Sequence, residues 1–209
     1  MILDRFLSRL RAFLGEPLAK SLRRRLRAAA PSPISELREG LHCRIAGTVR
    51  VLEHTTLTAP LSGLTCVAYL LEIIVTDPEL GDRLLVYDKR AVPFVLADTG
   101  HHAVVDPAHC QILVSTTHAL DSRAGFRSDP RLRAILARYR PDARLERASR
   151  VRYREWVVEP GTRVTLAGVG QREVDPLAQA ERGYRDEARQ RLRFVGSEAL
   201  PLLVGDDPP

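Results

Sequence analysis

The chain has 209 residues, 28% of them charged and 5% aromatic, with a formal net charge of +6. That length supports one domain with an appendage and a sizeable core. Three cysteines (Cys43, Cys66, Cys110), with no CxxC pair, exclude an even disulfide framework and fit a reduced compartment, and the longest apolar run, Gly63 to Val75, falls short of the ~18–20 residues that span a bilayer.

The charge is concentrated at one end. Residues 1–30 hold eight basic side chains against Asp4 and Glu16, which accounts for the whole net charge and leaves the remainder neutral. In the same segment Leu3, Phe6, Leu7, Leu10, Phe13 and Leu14 recur at helical spacing, and Leu18, Leu22 and Leu26 extend the stripe. Pro17 suits the first turn of a helix, so the spacing predicts helices near 2–14 and 17–28. Neither is long enough to be stable alone in water, where ~12–15 residues is marginal. Each stripe residue gains about 1.5–3 kcal/mol on burial, so something covers this face. Three coverings compete: the chain's own body or a second copy, an anionic membrane surface reached with Arg5, Arg9, Arg23, Arg24 and Arg25, or nucleic acid. The last lacks interleaved aromatics and any nucleic-acid motif. The arm carries no signal-peptide cleavage pattern.

Residues 31–36, PSPISE, read as a linker to a body spanning 37–209. The stretch 41–53 alternates, with Cys43, Ile45, Val49 and Val51 on one face and Arg44, Thr48 and Arg50 on the other, which predicts a half-buried strand. Residues 64–75 are apolar on both faces, as a central strand requires. Strands follow over 83–88, 92–97, 102–106 and 111–116. The period then switches: Leu132, Ile135, Leu136 and Tyr139 predict an inserted helix over 130–140, capped by Asp129 and ended by Pro141. Strands resume over 151–159 and 163–170, with a type II turn at Pro160-Gly161. Residues 176–191 are ambiguous between helix and loop, and 192–196 and 200–205 suggest a last pair. Eight to nine short strands predict a mainly-β barrel or sandwich with one inserted helix and an N-terminal amphipathic helical arm.

Asp98-Thr99-Gly100 matches the tripeptide of aspartic proteases, whose chemistry needs two carboxylates sharing a proton. The chain has one copy, so only a homodimer could complete the pair, and His101 stands where that type has a small residue. The alternative is a β-hairpin, with Phe94 and Leu96 returning beneath Val105 and Ala103, and Gly100 at φ > 0 in a type I turn with a G1 bulge. It needs fewer assumptions. His101, His102, Asp106, His109 and Cys110 are all metal-binding types, but strand alternation sends the two adjacent histidines to opposite faces. Ser115, His118 and Asp121 form a triad only on paper, without a nucleophile elbow, and GVGQ (168–171) is too short for a dinucleotide loop. Arg150, Arg152 and Arg154 alternate on one strand face, and Trp156 reads as a core anchor.

Three phrases together, LTAPLSGLTCVAYLLEI (57–73), VPFVLADTGHHAVVDP (92–107) and REWVVEPGTRVTLAGVG (154–170), resemble the GIDE domain. This is also called the beside-a-membrane domain of the mitochondrial membrane-anchored RING ubiquitin ligase family, which has bacterial relatives. The resemblance covers about 35–205. The chain lacks the eight Cys/His positions of a RING, so ligase activity does not carry over. What the resemblance implies is a non-catalytic β domain beside a membrane.

The expectation is a non-enzymatic, membrane-proximal interaction or adaptor module, with no cofactor, metal or nucleic acid, cytoplasmic and peripheral at the inner face of the membrane. The arm would dock on an anionic membrane or an unidentified protein. Asp98, Gly100, His101, His102, Arg152 and Arg154 would form a further interaction surface. The rivals are a soluble homo-oligomeric scaffold held by the arm and a homodimeric protease using Asp98.

Overall fold

The computed structural model describes residues 18–79, 81–115, 118–122, 130–139, 150–174 and 190–206. In chain order these form helix α1 (18–28) and strands β1 (His42–Val51), β2 (Leu57–Thr58), β3 (Thr65–Cys66), β4 (Ala68–Asp77), β5 (Gly81–Ala91), β6 (Phe94–Asp98), β7 (His101–Asp106), β8 (Cys110–Ile112) and β9 (His118–Ser122). Helix α2 (Pro130–Tyr139) and strands β10 (Arg150–Val158), β11 (Arg163–Val174), β12 (Gln190–Val195) and β13 (Leu202–Asp206) follow. A short 3-10 turn, Ile34–Glu36, precedes β1.

Five strands close a barrel in the order β1-β6-β7-β12-β11, and β1 pairs again with β11. The contact between β7 and β12 is parallel, while the others are antiparallel. This is the connectivity of a five-stranded Greek-key barrel. Thr48 is the hinge of β1, facing Arg163 of β11 on one side and Ala97 of β6 on the other. Gly47 makes the bend possible, because a Cβ there would lie 2.7 Å from the Ala97 carbonyl oxygen. The alternation predicted for β1 is present: Cys43, Ile45 and Val49 are buried with Phe94, Leu96, Val105, Leu166 and Phe194 in the barrel core.

The chain leaves the barrel twice, and the two excursions build a second sheet. The β4–β5 hairpin lies between β1 and β6 in sequence, and β9-α2-β10 lies between β8 and β11. They join through β4 and β10 to give an antiparallel sheet of order β5-β4-β10-β9. Helix α2 covers one face, packing Leu132, Ile135 and Leu136 on Leu71, Ile73, Val75, Val86 and Val151. The stripe read from the sequence is therefore the buried one. Val67, Ala68, Leu70 and Val158, at the other end of this sheet, belong to the barrel core, and Lys89 Nζ donates to the Cys110 carbonyl at 2.5 Å. The two layers thus share side chains.

The mainly-β architecture with an inserted helix is as the sequence predicts, but more strands form than expected. The two-residue strand β2 falls where no strand is expected and β3 at the start of the strand expected over 64–75; each is too short to show a periodicity of its own. Residues 31–36, expected as a linker, are built into the barrel instead. Pro31 bridges Arg44, Ser32 N–H donates to the Arg44 carbonyl, and Ile34 and Leu37 are buried in the barrel core.

Candidate functional site

Helix α1 forms because an apolar residue recurs every fourth position in a run otherwise rich in Arg and Ala, good helix formers. Leu22, Leu26 and Ala29 are buried against Leu113, Ala167 and Leu203 on the outside of the barrel. Gly205 admits the helix, since a Cβ there would overlap Leu26 Cδ2. Arg23 Nε donates to the Leu113 carbonyl at 3.3 Å, and Arg44 Nη1 donates to the Arg27 carbonyl at 3.0 Å. Of the arm residues expected to bind a membrane or partner, Arg24 and Arg25 are exposed, and Arg23 is exposed with one nitrogen held by the barrel. Leu3, Arg5, Phe6, Leu7, Arg9, Leu10, Phe13 and Leu14 lie outside the described residues. Leu18, one turn before buried Leu22, is 57% exposed. Among the described residues no helix is long and apolar enough to cross a membrane.

The 94–105 hairpin has the predicted register: Phe94 opposes Val105, and Leu96 opposes Ala103. Its turn differs from the expectation. Asp98 pairs directly with His101, leaving a two-residue loop in which Thr99 (φ 40°) and Gly100 (φ 85°) both adopt positive φ. That is the signature of a type I′ turn, whose twist matches the flanking strands, rather than type I with a bulge. The Asp98 carboxylate faces Arg163 at 3.5 Å, and His101 and His102 are exposed. Asp106 pairs with Arg193, which also reaches Glu173 at 3.1 Å, so this carboxylate locks the parallel β7–β12 contact. Cys110 is buried, and burial, opposed by Lys89, raises its thiol above the ordinary value. The hairpin tip presents Asp98, Gly100, His101 and His102 together on the surface, without drawing Asp106 or Cys110 to them.

The arginines of β10 are not a free patch. Arg150, Arg152, Arg154 and Trp156 share the sheet face opposite α2 and are all half-buried. Arg152 pairs with Asp82 of β5. The Asp82 carboxyl lies below the usual range, through the hydroxyl of Thr76 first and Arg152 next, against the opposing effect of burial. Arg154 stands opposite Glu72 in the ladder. Trp156 packs partly against the barrel core, as an anchor does. The triad drawn on paper does not assemble: Ser115 donates to Asp206 through both its N–H and its hydroxyl.

Two polar constellations were missed in the sequence. In the first, Asp88 Oδ2 accepts from Tyr69 at 2.8 Å and from Tyr139 at 2.6 Å, with Arg90 Nε 3.4 Å from Oδ1. Burial raises the Asp88 carboxyl, but the two tyrosine hydroxyls and Arg90 outweigh it and hold the group below the usual carboxylate range. In the second, Glu155 is fully buried and accepts from the backbone N–H groups of Leu61 (2.7 Å) and Ser62 (2.9 Å). It organises the loop between β2 and β3 from the opposite face of β10. Cys66 lies beside it, its thiol pushed up to about 11 by burial and then by Glu155 and Glu159. A signal for Glu155 existed: it shares its phase with Val151, Tyr153 and Val157, so the alternation already assigned it to the apolar face.

Comparison of the chain with protein-family models, with curated proteins and with solved structures finds no match.

Proposed function

We propose that the chain is a non-enzymatic, membrane-proximal interaction module, in which the segment upstream of α1 docks on an anionic membrane and the barrel and second sheet form the scaffold it tethers. The observation that carries this reading is the exposure of Leu18 within a leucine stripe whose continuation, Leu22 and Leu26, is sheltered by the barrel. Leu18 itself is not covered by the barrel, and Lys20 and Arg24, on the other side of the helix, are exposed as well. Apolar burial in the acyl boundary combined with arginine on phosphate is the chemistry of a peripheral anchor. The resemblance to the GIDE domain supports a place beside a membrane.

Nucleic acid fits less well. Sequence-tolerant binding of single strands relies on aromatic side chains offered for stacking, and Phe94 and Phe194 of the barrel are buried. Vesicle co-sedimentation tests the proposal. The full chain should pellet with vesicles of phosphatidylcholine and phosphatidylglycerol and stay in solution with phosphatidylcholine alone. Leu7→Asp with Leu10→Asp should abolish binding. A full chain that ignores both vesicles removes the membrane docking. If the double variant instead lowers the mass in light scattering, the arm holds an oligomer.

A further inference from the structure

We infer that α1 remains seated on the barrel when the protein docks, and that its basic back, rather than its leucine stripe, is what meets the anionic headgroups. The inference rests on the membrane reading above and adds to it an orientation: the side of the barrel carrying α1 faces the surface.

The apolar face of α1 is already occupied. Leu22, Leu26 and Ala29 lie on Leu113, Ala167 and Leu203, and peeling the helix away would expose both halves of this cluster to water. The C-terminal end of α1 is also tied by backbone. Arg44 N–H donates to the Ala30 carbonyl at 2.8 Å, Ser32 N–H donates to the Arg44 carbonyl at 2.8 Å, and Arg44 Nη1 holds the Arg27 carbonyl. Helix and barrel therefore move as one piece.

With Leu22, Leu26 and Ala29 covered, what α1 exposes apart from Leu18 is its back. At 3.6 residues per turn Lys20, Arg24 and Arg27 point away from Leu22 and Leu26, while Arg23 and Arg25 flank them. All five are exposed, and residues 18–30 contain no acidic side chain. An inserting amphipathic helix shows lipid its apolar face. A docked one shows guanidinium and ammonium groups, whose donors suit phosphate oxygens at headgroup level. Lipid is favoured over nucleic acid as the source of phosphate because residues 18–30 hold no aromatic side chain on which a base could stack.

The test uses the full chain on phosphatidylcholine vesicles with and without phosphatidylglycerol. The reversal Lys20→Glu, Arg24→Glu, Arg27→Glu alters exposed positions only, and a thermal melt checks that it folds. It should weaken binding by about tenfold or more, given the contribution of each basic residue near an anionic surface. Nitroxides on Ala28→Cys and Arg50→Cys, both exposed, report the distance from helix to barrel, since the native cysteines are buried. The distance should be the same free and vesicle-bound. A longer or broadened distance on vesicles shows α1 peeling off and overturns the inference, as does unchanged affinity of the reversed variant. A wild-type chain that binds no vesicle brings down the membrane reading itself. One that binds duplex DNA instead assigns the basic back to nucleic acid.

Discussion

Tyr139 donates its hydroxyl to Asp88 Oδ2 at 2.6 Å, joining the last residue of α2 to β5. Tyr69 of β4 donates to the same oxygen, so one carboxylate ties the helix to two neighbouring strands. Three apolar side chains hold α2 by area, and this contact fixes where the helix ends on the sheet.

Asp88→Asn and Tyr139→Phe should each destabilise the fold by about 1.5–3 kcal/mol, the range of a hydrogen bond to a charged group. The folded Asp88 carboxyl lies below its ordinary value, so its stabilisation is full above the unfolded value near ~3.9 and is lost as pH falls through the lower folded one. The gap between wild type and Asp88→Asn should thus be constant at neutral pH and narrow below about pH 4. Urea unfolding at a series of pH values measures it, and a gap independent of acid shows that the carboxylate charge does not matter.

Glu155→Ala would remove the carboxylate that accepts from the buried N–H of Leu61 and the part-buried N–H of Ser62, at a cost of about 3 kcal/mol or more. Glu155→Gln keeps one acceptor oxygen and should lose less. Because Cys66 is buried and its thiol lies at about 11, it should resist thiol reagents at pH 8 in the folded protein, as should buried Cys43 and Cys110. Labelling followed by mass spectrometry should find no modification without denaturant, three with it, and faster labelling at Cys66 in the Glu155→Ala variant as the loop loosens. Equal labelling rates in wild type and variant would detach Cys66 from Glu155.

The tip of the β6–β7 hairpin carries correctable strain. Thr99 is β-branched at φ 40°, whereas Asn tolerates that region. Thr99→Asn should raise stability by roughly 1 kcal/mol, and Gly47→Ala should lower it by about 1–3 kcal/mol, because the added carbon meets the Ala97 carbonyl. Thermal melts decide both. A destabilised Thr99→Asn variant would contradict the type I′ geometry.

Much of this was legible in the sequence, for a physical reason. Periodicity records which side of a local element faces the core. The alternation of Cys43, Ile45 and Val49, the return of Phe94 and Leu96 onto Val105 and Ala103, and the stripe Leu132, Ile135 and Leu136 could therefore be read before any coordinates. The same phase held Glu155 in plain view, but a carboxylate on an apolar face is understood only once the amides of Leu61 and Ser62 are seen to meet it.

What periodicity does not record is the partner. The backbone groups that make a ladder are the same whatever side chains a strand carries, so nothing local says that β12 runs parallel beside β7, or that two separate excursions meet as β4 and β10. Asp88 draws its tyrosines from 19 and 51 residues away. The stripe of α1 announced that something must cover it, because exposed leucine is unfavourable in water. Only the tertiary structure decided that, for Leu22 and Leu26, the cover is the chain's own barrel, since that surface exists only after Leu113, Ala167 and Leu203 have been brought side by side.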